Sequence, residues 1–157
     1  MKLQTSTLYA LIAMLELTAR PDESVSASEI AQRHNLPLSH LAKVLRELGK
    51  ARFVEASRGI GGGYRLASPG RKVTLHDVIS VFEPTPRAGT NGAGQPILGS
   101  TAESAALDAF FQELGSLQTA LLASMTFHTL ARAGARGSRE EDSAPGASLT
   151  ASLRARA

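Results

Sequence analysis

The chain has 157 residues, 43% of them hydrophobic but only 4% aromatic, and it contains no cysteine. That length buries one modest core with appendages, in a composition that suits helices built on Leu and Ala. Disulfides, thiolate metal sites and cysteine-ligated iron–sulfur clusters are excluded within the chain, and a formal charge of +3 names no partner by itself. Met1-Lys2-Leu3-Gln4-Thr5-Ser6 turns polar before any leader-like apolar run, and no stretch of ~18 apolar residues follows, so a cytoplasmic protein is expected.

A first helix is expected from Thr5 or Ser6, either of which can cap it, to about Ala19. Leu8, Leu11, Ile12, Leu15 and Thr18–Ala19 form its apolar stripe, and Arg20-Pro21-Asp22-Glu23 ends it. Ser26 and Glu29 make a capping-box pattern opening a short helix, Ala27–His34. Asn35-Leu36-Pro37 breaks the chain tightly, with Asn35 tolerant of a left-handed backbone. A third helix then runs from Pro37 or Leu38 to Lys50. It buries Leu38, Leu41, Val44, Leu45 and Leu48 and carries Ser39, His40, Lys43, Arg46 and Lys50 on its other side. Two short helices split by a tight break, the second one basic, make a helix-turn-helix pattern. Between Pro37 and Arg58, five basic residues (Lys43, Arg46, Lys50, Arg52, Arg58) oppose two acidic ones (Glu47, Glu55), and 5 − 2 gives the whole chain's +3. The positive charge is focused on one segment.

Phe53–Ala56 and Tyr64–Leu66 read as strands around Ser57-Arg58-Gly59-Ile60-Gly61-Gly62-Gly63. A dinucleotide fingerprint would need its third glycine at Tyr64 and a helix after it, and a P-loop would need a Gly-Lys-Ser/Thr ending. Both fail. What remains is a hairpin wing, in which glycines allow positive φ and close backbone approach. After Ser68-Pro69-Gly70, Thr74 and Asp77 cap a helix, Leu75–Glu83, with Val78, Ile79 and Phe82 inward. Residues 84–101, rich in Pro, Gly and Thr, read as a flexible linker.

Residues 102–131 read as one long helix of about 40 Å. Leu107, Phe110, Leu114, Leu117, Leu121 and Met125 recur along it at three- and four-residue steps, widened by Phe111 and Leu122. A solitary apolar stripe of that length needs a cover: a second copy of the chain, or a fold back onto its own domain. Residues 132–157, rich in Ala, Gly, Ser and Arg, are expected to form a disordered tail. The expected fold is mainly α with a small β-hairpin wing: a winged helix-turn-helix over 1–83, then the linker and a dimerisation helix.

Leu3-Gln4-Thr5, Tyr9-Ala10-Leu11, Ile30-Ala31, Leu38-Ser39, the run Arg58-Gly59-Ile60-Gly61-Gly62-Gly63-Tyr64-Arg65-Leu66 and Val73-Thr74-Leu75 together resemble the IscR/NsrR/CymR-type family of bacterial winged-helix transcription regulators. The resemblance covers Met1 to about Glu83 and resumes weakly to about Leu130. It implies a homodimer on a palindromic operator, usually as a repressor, with the second helix of the motif in the major groove and the wing arginine in the minor groove. Well-known sensing members ligate an iron–sulfur cluster through three cysteines after the winged domain. Here Pro84–Ser104 holds none, so a cluster-free regulator with no cofactor is expected.

On that reading Arg58, flanked by Gly59, reaches the minor groove, where a guanidinium is favoured. Ser39, His40 and Lys43 are placed to meet base edges. Arg46, Lys50 and Arg52 meet phosphates or surface acids, and Thr5 and Ser6 either hold a backbone phosphate or simply cap their helix. Tyr9 reaches a phosphate or edges the core. His34, His40, His76 and His128 show no metal-ligand spacing, and no Ser/His/Asp constellation supports an enzyme. The competing function is a winged-helix module that has lost specific DNA binding and docks a protein. A partner protein, a small molecule or expression level alone remain open as the controlling signal.

Overall fold

The computed structural model describes residues 3–59, 61–68, 72–83 and 101–142. In chain order they form α1 (Thr5–Ala19), α2 (Ala27–Arg33), α3 (Leu38–Lys50), β1 (Val54–Ser57), β2 (Gly63–Leu66), α4 (Leu75–Phe82), α5 (Ala102–Ser124) and α6 (Phe127–Asp142). The core gathers Ala10, Met14 and Leu17 of α1, Ile30 of α2, the Leu41, Val44, Leu45 and Leu48 stripe of α3, Val78 of α4 and Phe127 of α6.

The caps of α2 and α4 follow the sequence signals. Ser26 Oγ accepts the Glu29 N–H, but the Glu29 carboxylate turns to Arg20 rather than closing the expected box, whereas Thr74 and Asp77 close a reciprocal one. Asn35 adopts φ 51° after α2, the left-handed backbone its side chain tolerates. β1 and β2 pair antiparallel with Val54 opposite Leu66 and Ser57 opposite Gly63. Tyr64 also exchanges two backbone hydrogen bonds with Val25, of 2.8 and 2.9 Å, which ties β2 to the chain before α2.

α1 departs from the expected arrangement twice. Gln4 occupies its cap position without a side-chain cap bond, so neither Thr5 nor Ser6 caps it. The buried face is Thr7, Ala10, Met14 and Leu17, whereas Leu8 is 46% exposed. Ala10 and Ala13 let neighbouring helices approach closely, and the bulkier leucines are left half-covered. Leu38, at the start of α3, lies beyond the core edge and is likewise exposed.

The expected single helix over 102–131 is two. Leu75 N–H donates to the Met125 carbonyl at 2.9 Å, and Phe127 N–H donates to Val73 at 3.1 Å, pinning the break against the chain before α4. Thr126 Oγ1 accepts the Thr129 N–H and caps α6, while Phe127, 1% exposed, anchors the break in the core. Met125 is therefore a half-buried terminating residue rather than part of the stripe. The tail expected from 132 is helical through Asp142, because α6 packs back along α1. The expected linker, 84–101, lies outside the described residues except Thr101, which caps α5 by accepting the Ser104 N–H.

Candidate nucleic-acid interface

Ser39, Lys43, Arg46 and Lys50 are all exposed on α3, at steps of four, three and four residues. That spacing puts them in one row on a single helix face, opposite buried Leu41, Val44, Leu45 and Leu48. Lys50 pairs with Glu47 at 2.8 Å, both exposed, a contact worth little in water. Lys43, Arg46, Arg52 and Arg58 make no ion pair among the described residues. Lys43 and Arg46, unpaired on the same face of α3, give that face a positive charge suited to a polyanion.

His40 stands apart from this row. Its Nε2 lies 3.0 Å from Ser6 Oγ, and its ring meets Tyr9 edge-on with centroids 4.9 Å apart. The start of α3 is thus joined to the start of α1. Thr5 is exposed on the first turn of α1, while Ser6 and Tyr9 are half-buried.

α3 ends in a left-handed cap. Arg52 has φ 60°, with Arg52 N–H on Gly49 O and Phe53 N–H on Leu48 O, both at 3.0 Å. This is a Schellman closure, with Leu48 and Phe53 making its apolar contact, but an arginine sits where glycine is preferred. The tight exit leads the chain directly into β1.

At the far end of the hairpin, Gly59 and Gly61 have φ of 103° and 81°, values an L side chain rarely adopts. Exposed Arg58 precedes them. Ser57 Oγ accepts the Gly63 N–H at 3.2 Å and lies 3.0 Å from Ser24 Oγ, fixing the base of the turn. A Cβ on Gly63 would stand 2.7 Å from the Val25 carbonyl, so glycine there permits the Val25–Tyr64 pairing.

Two carboxylates that sequence reasoning passed over hold this scaffold. Burial raises the proton affinity of Glu16, but hydrogen bonds from Arg20, His34 and Arg33 outweigh it and bring the carboxyl down to about 2. Glu16 thereby locks α1 to α2. Glu83 ends α4 and accepts from Thr7 Oγ1 at 2.5 Å and Gln4 N–H at 2.7 Å, which lowers its pKa. It supplies the acceptor missing at the start of α1, leaving the Thr5 and Ser6 hydroxyls as the polar groups of that turn. Only the Glu16–Arg20 spacing of four is a local sign; the other partners lie 17 to 79 positions away.

The Rrf2 family model, described as an iron-dependent transcriptional regulator, matches residues 3–133. The chain is 54% identical over 85 residues to the HTH-type transcriptional regulator BadM of Rhodopseudomonas palustris, a match covering 54% of each chain, so it spans about half of that relative's length. It is 36% identical over 109 residues to the HTH-type transcriptional regulator IscR of Cereibacter sphaeroides, covering 66% of this chain and 70% of the other. Among solved structures, CymR of B. subtilis superposes with a TM-score of 0.72 at 28% identity, covering 84% of this chain and 97% of CymR. IscR of T. potens gives 0.66 at 25% identity, over 85% and 88%. These relatives are transcriptional regulators, not enzymes.

The family description names iron, but the residues present do not fit a thiolate-held iron centre. The chain has no cysteine, and among the described residues no three His, Asp or Glu side chains gather to hold a metal ion. No helix of the described residues is long and apolar enough to cross a membrane. The hairpin wing after a basic second helix and the matched span over 3–133 make the chain a member of the Rrf2 family of transcriptional regulators.

Proposed function

We propose that this chain is a homodimeric, sequence-specific DNA-binding repressor that acts in the cytoplasm on a palindromic operator without an iron–sulfur cluster. The exposed row Ser39, Lys43, Arg46 and Lys50 on one face of α3 carries the reading. In this account α3 enters the major groove, with Lys43 suited to guanine O6 and N7 and Ser39 to either base type. Arg58, set beside left-handed Gly59, enters the minor groove. Arg46, Arg52 and the hydroxyls of Thr5 and Ser6 hold phosphates, and His40 acts through Ser6.

Dimerisation is supported by α5. Leu107, Phe110, Leu114, Leu117 and Leu121 are each between 48% and 64% exposed along its 23 residues, an apolar face too extended to be left in water. A second copy covers it with the two-fold symmetry that a palindrome requires. The same face is what a protein-docking module would present, and that second reading separates from the first on DNA. Selection of bound duplexes from a random library should enrich an inverted repeat. Affinity for it should fall with salt, by a log–log slope of about −0.9 per neutralised phosphate. Enrichment of no sequence would favour the docking module.

A further inference from the structure

The Ser6–His40 contact has a chemical asymmetry. A neutral imidazole has one donor and one acceptor nitrogen, so Nε2 can either take the Ser6 proton or give its own. An imidazolium has two donors and no acceptor. Protonated His40 must therefore donate Nε2–H to Ser6 Oγ across the observed 3.0 Å, and the Ser6 hydroxyl proton is released to point elsewhere. Ser6 is half-buried on the first turn of α1.

We propose that His40 is a proton-sensitive positioning residue: its protonation turns the Ser6 hydroxyl outward as a donor to a DNA phosphate and adds a positive charge behind it. This rests on the DNA-binding reading and assigns that reading a control by pH. The imidazole packs on α1 through a T-shaped contact with the Tyr9 ring, whose centroid lies 4.9 Å away.

The surrounding charges leave His40 the responsive group. From α1 the neighbours are Ser6 and Tyr9. Glu83 at the end of α4 is engaged by Gln4 and Thr7, and Asp77 by the Thr74 N–H. Arg33 and His34 of α2 are tied to Glu16, and Glu29 to Arg20. Glu55 of β1 pairs with Arg65. Lys43, one turn along α3, opposes the added charge, and a phosphate arriving at Ser6 favours it. His76 on α4 is a further histidine, which makes its own substitution a necessary control.

The sign follows from linkage. If the complex prefers protonated His40, affinity is highest below the histidine's titration range and falls as pH rises through it. The test is fluorescence anisotropy of the full chain at constant ionic strength from pH 5.5 to 8.0, on a duplex that the wild-type chain selects from a random library. Binding should weaken by roughly two- to tenfold per pH unit over the steepest part of the profile. His40→Gln and Ser6→Ala should each flatten that slope, while His76→Gln retains it. If His40→Gln fails to fold by circular dichroism, the midpoint of the His40 ring in NMR titrations of the wild type should rise on adding duplex. A flat wild-type profile, or a slope that survives in both variants, overturns the proposal. A slope lost in His40→Gln but kept in Ser6→Ala makes His40 a direct DNA contact and overturns the relay. If no duplex is selected at all, the DNA-binding reading itself falls.

Discussion

Thr7 and Glu83 lie 76 positions apart, yet the Thr7 hydroxyl donates to Glu83 Oε1 at 2.5 Å. Thr7 is fully buried, and the same carboxylate oxygen receives the Gln4 N–H, so the end of α4 seals the start of α1. Bonds to the charged form depress the Glu83 pKa, and a depressed carboxyl contributes stability that is present above its unfolded value and lost as pH falls through the folded one. Glu83→Gln should lower the melting temperature at pH 7, and the gap to wild type should close at strongly acidic pH. A gap that persists unchanged at low pH would show that the charge is not the cause.

Glu16→Gln tests the link between α1 and α2. The carboxyl, held at about 2, accepts from Arg20, Arg33 and His34, and losing its charge should cost about 2 kcal/mol in urea unfolding at pH 7. Because the folded pKa is lowered from 4.5, that contribution is complete above about 4.5 and should vanish as pH falls towards 2.

Arg52 adopts a left-handed backbone where glycine carries no Cβ penalty. Arg52→Gly should raise stability by about 1 kcal/mol, since the relieved strain exceeds the entropy that glycine adds to the unfolded chain. The same substitution should weaken DNA binding and reduce its salt dependence. Opposite signs for melting temperature and affinity would identify a site where stability is given up for contact. Loss of stability on substitution would contradict the strain.

Much of this architecture was legible because its signals are local. The Ser26 cap, the Thr74–Asp77 capping box, the Asn35 turn and the glycine run each act within a few residues, and each falls where the sequence places it. Longer-range packing was not. The apolar repeat Leu107 to Met125 reads as one uninterrupted helix, since nothing in it announces that Val73 and Leu75 will pin the chain at Met125 and Phe127. Thr126 was the available sign, a capping hydroxyl three residues before Thr129. α1 is apolar nearly all round, so the leucine stripe and the alanine-containing face competed, and close packing favoured the small residues. In the candidate interface, the exposed row on α3 follows from helical spacing. The inward turn of His40 depends on α1 and is invisible along α3 alone.

Phe110→Glu combined with Leu117→Glu should convert a dimer into a monomer in sedimentation equilibrium, because two charges placed on the exposed face of α5 would be buried unpaired against a second copy. The far-UV circular dichroism should be unchanged, since neither side chain lies in the core. DNA affinity should drop by orders of magnitude as each half-site is bound separately. Dimers that survive both substitutions would place the interface elsewhere.

Reading of DNA by the α3 row and the wing tip is tested by anisotropy on the selected duplex with Lys43→Ala and Arg58→Ala. Each should weaken binding by about tenfold or more, with Lys43→Ala also relaxing preference at one base pair in each half-site. Binding of no duplex by the wild type, or wild-type affinity in both variants, would contradict it.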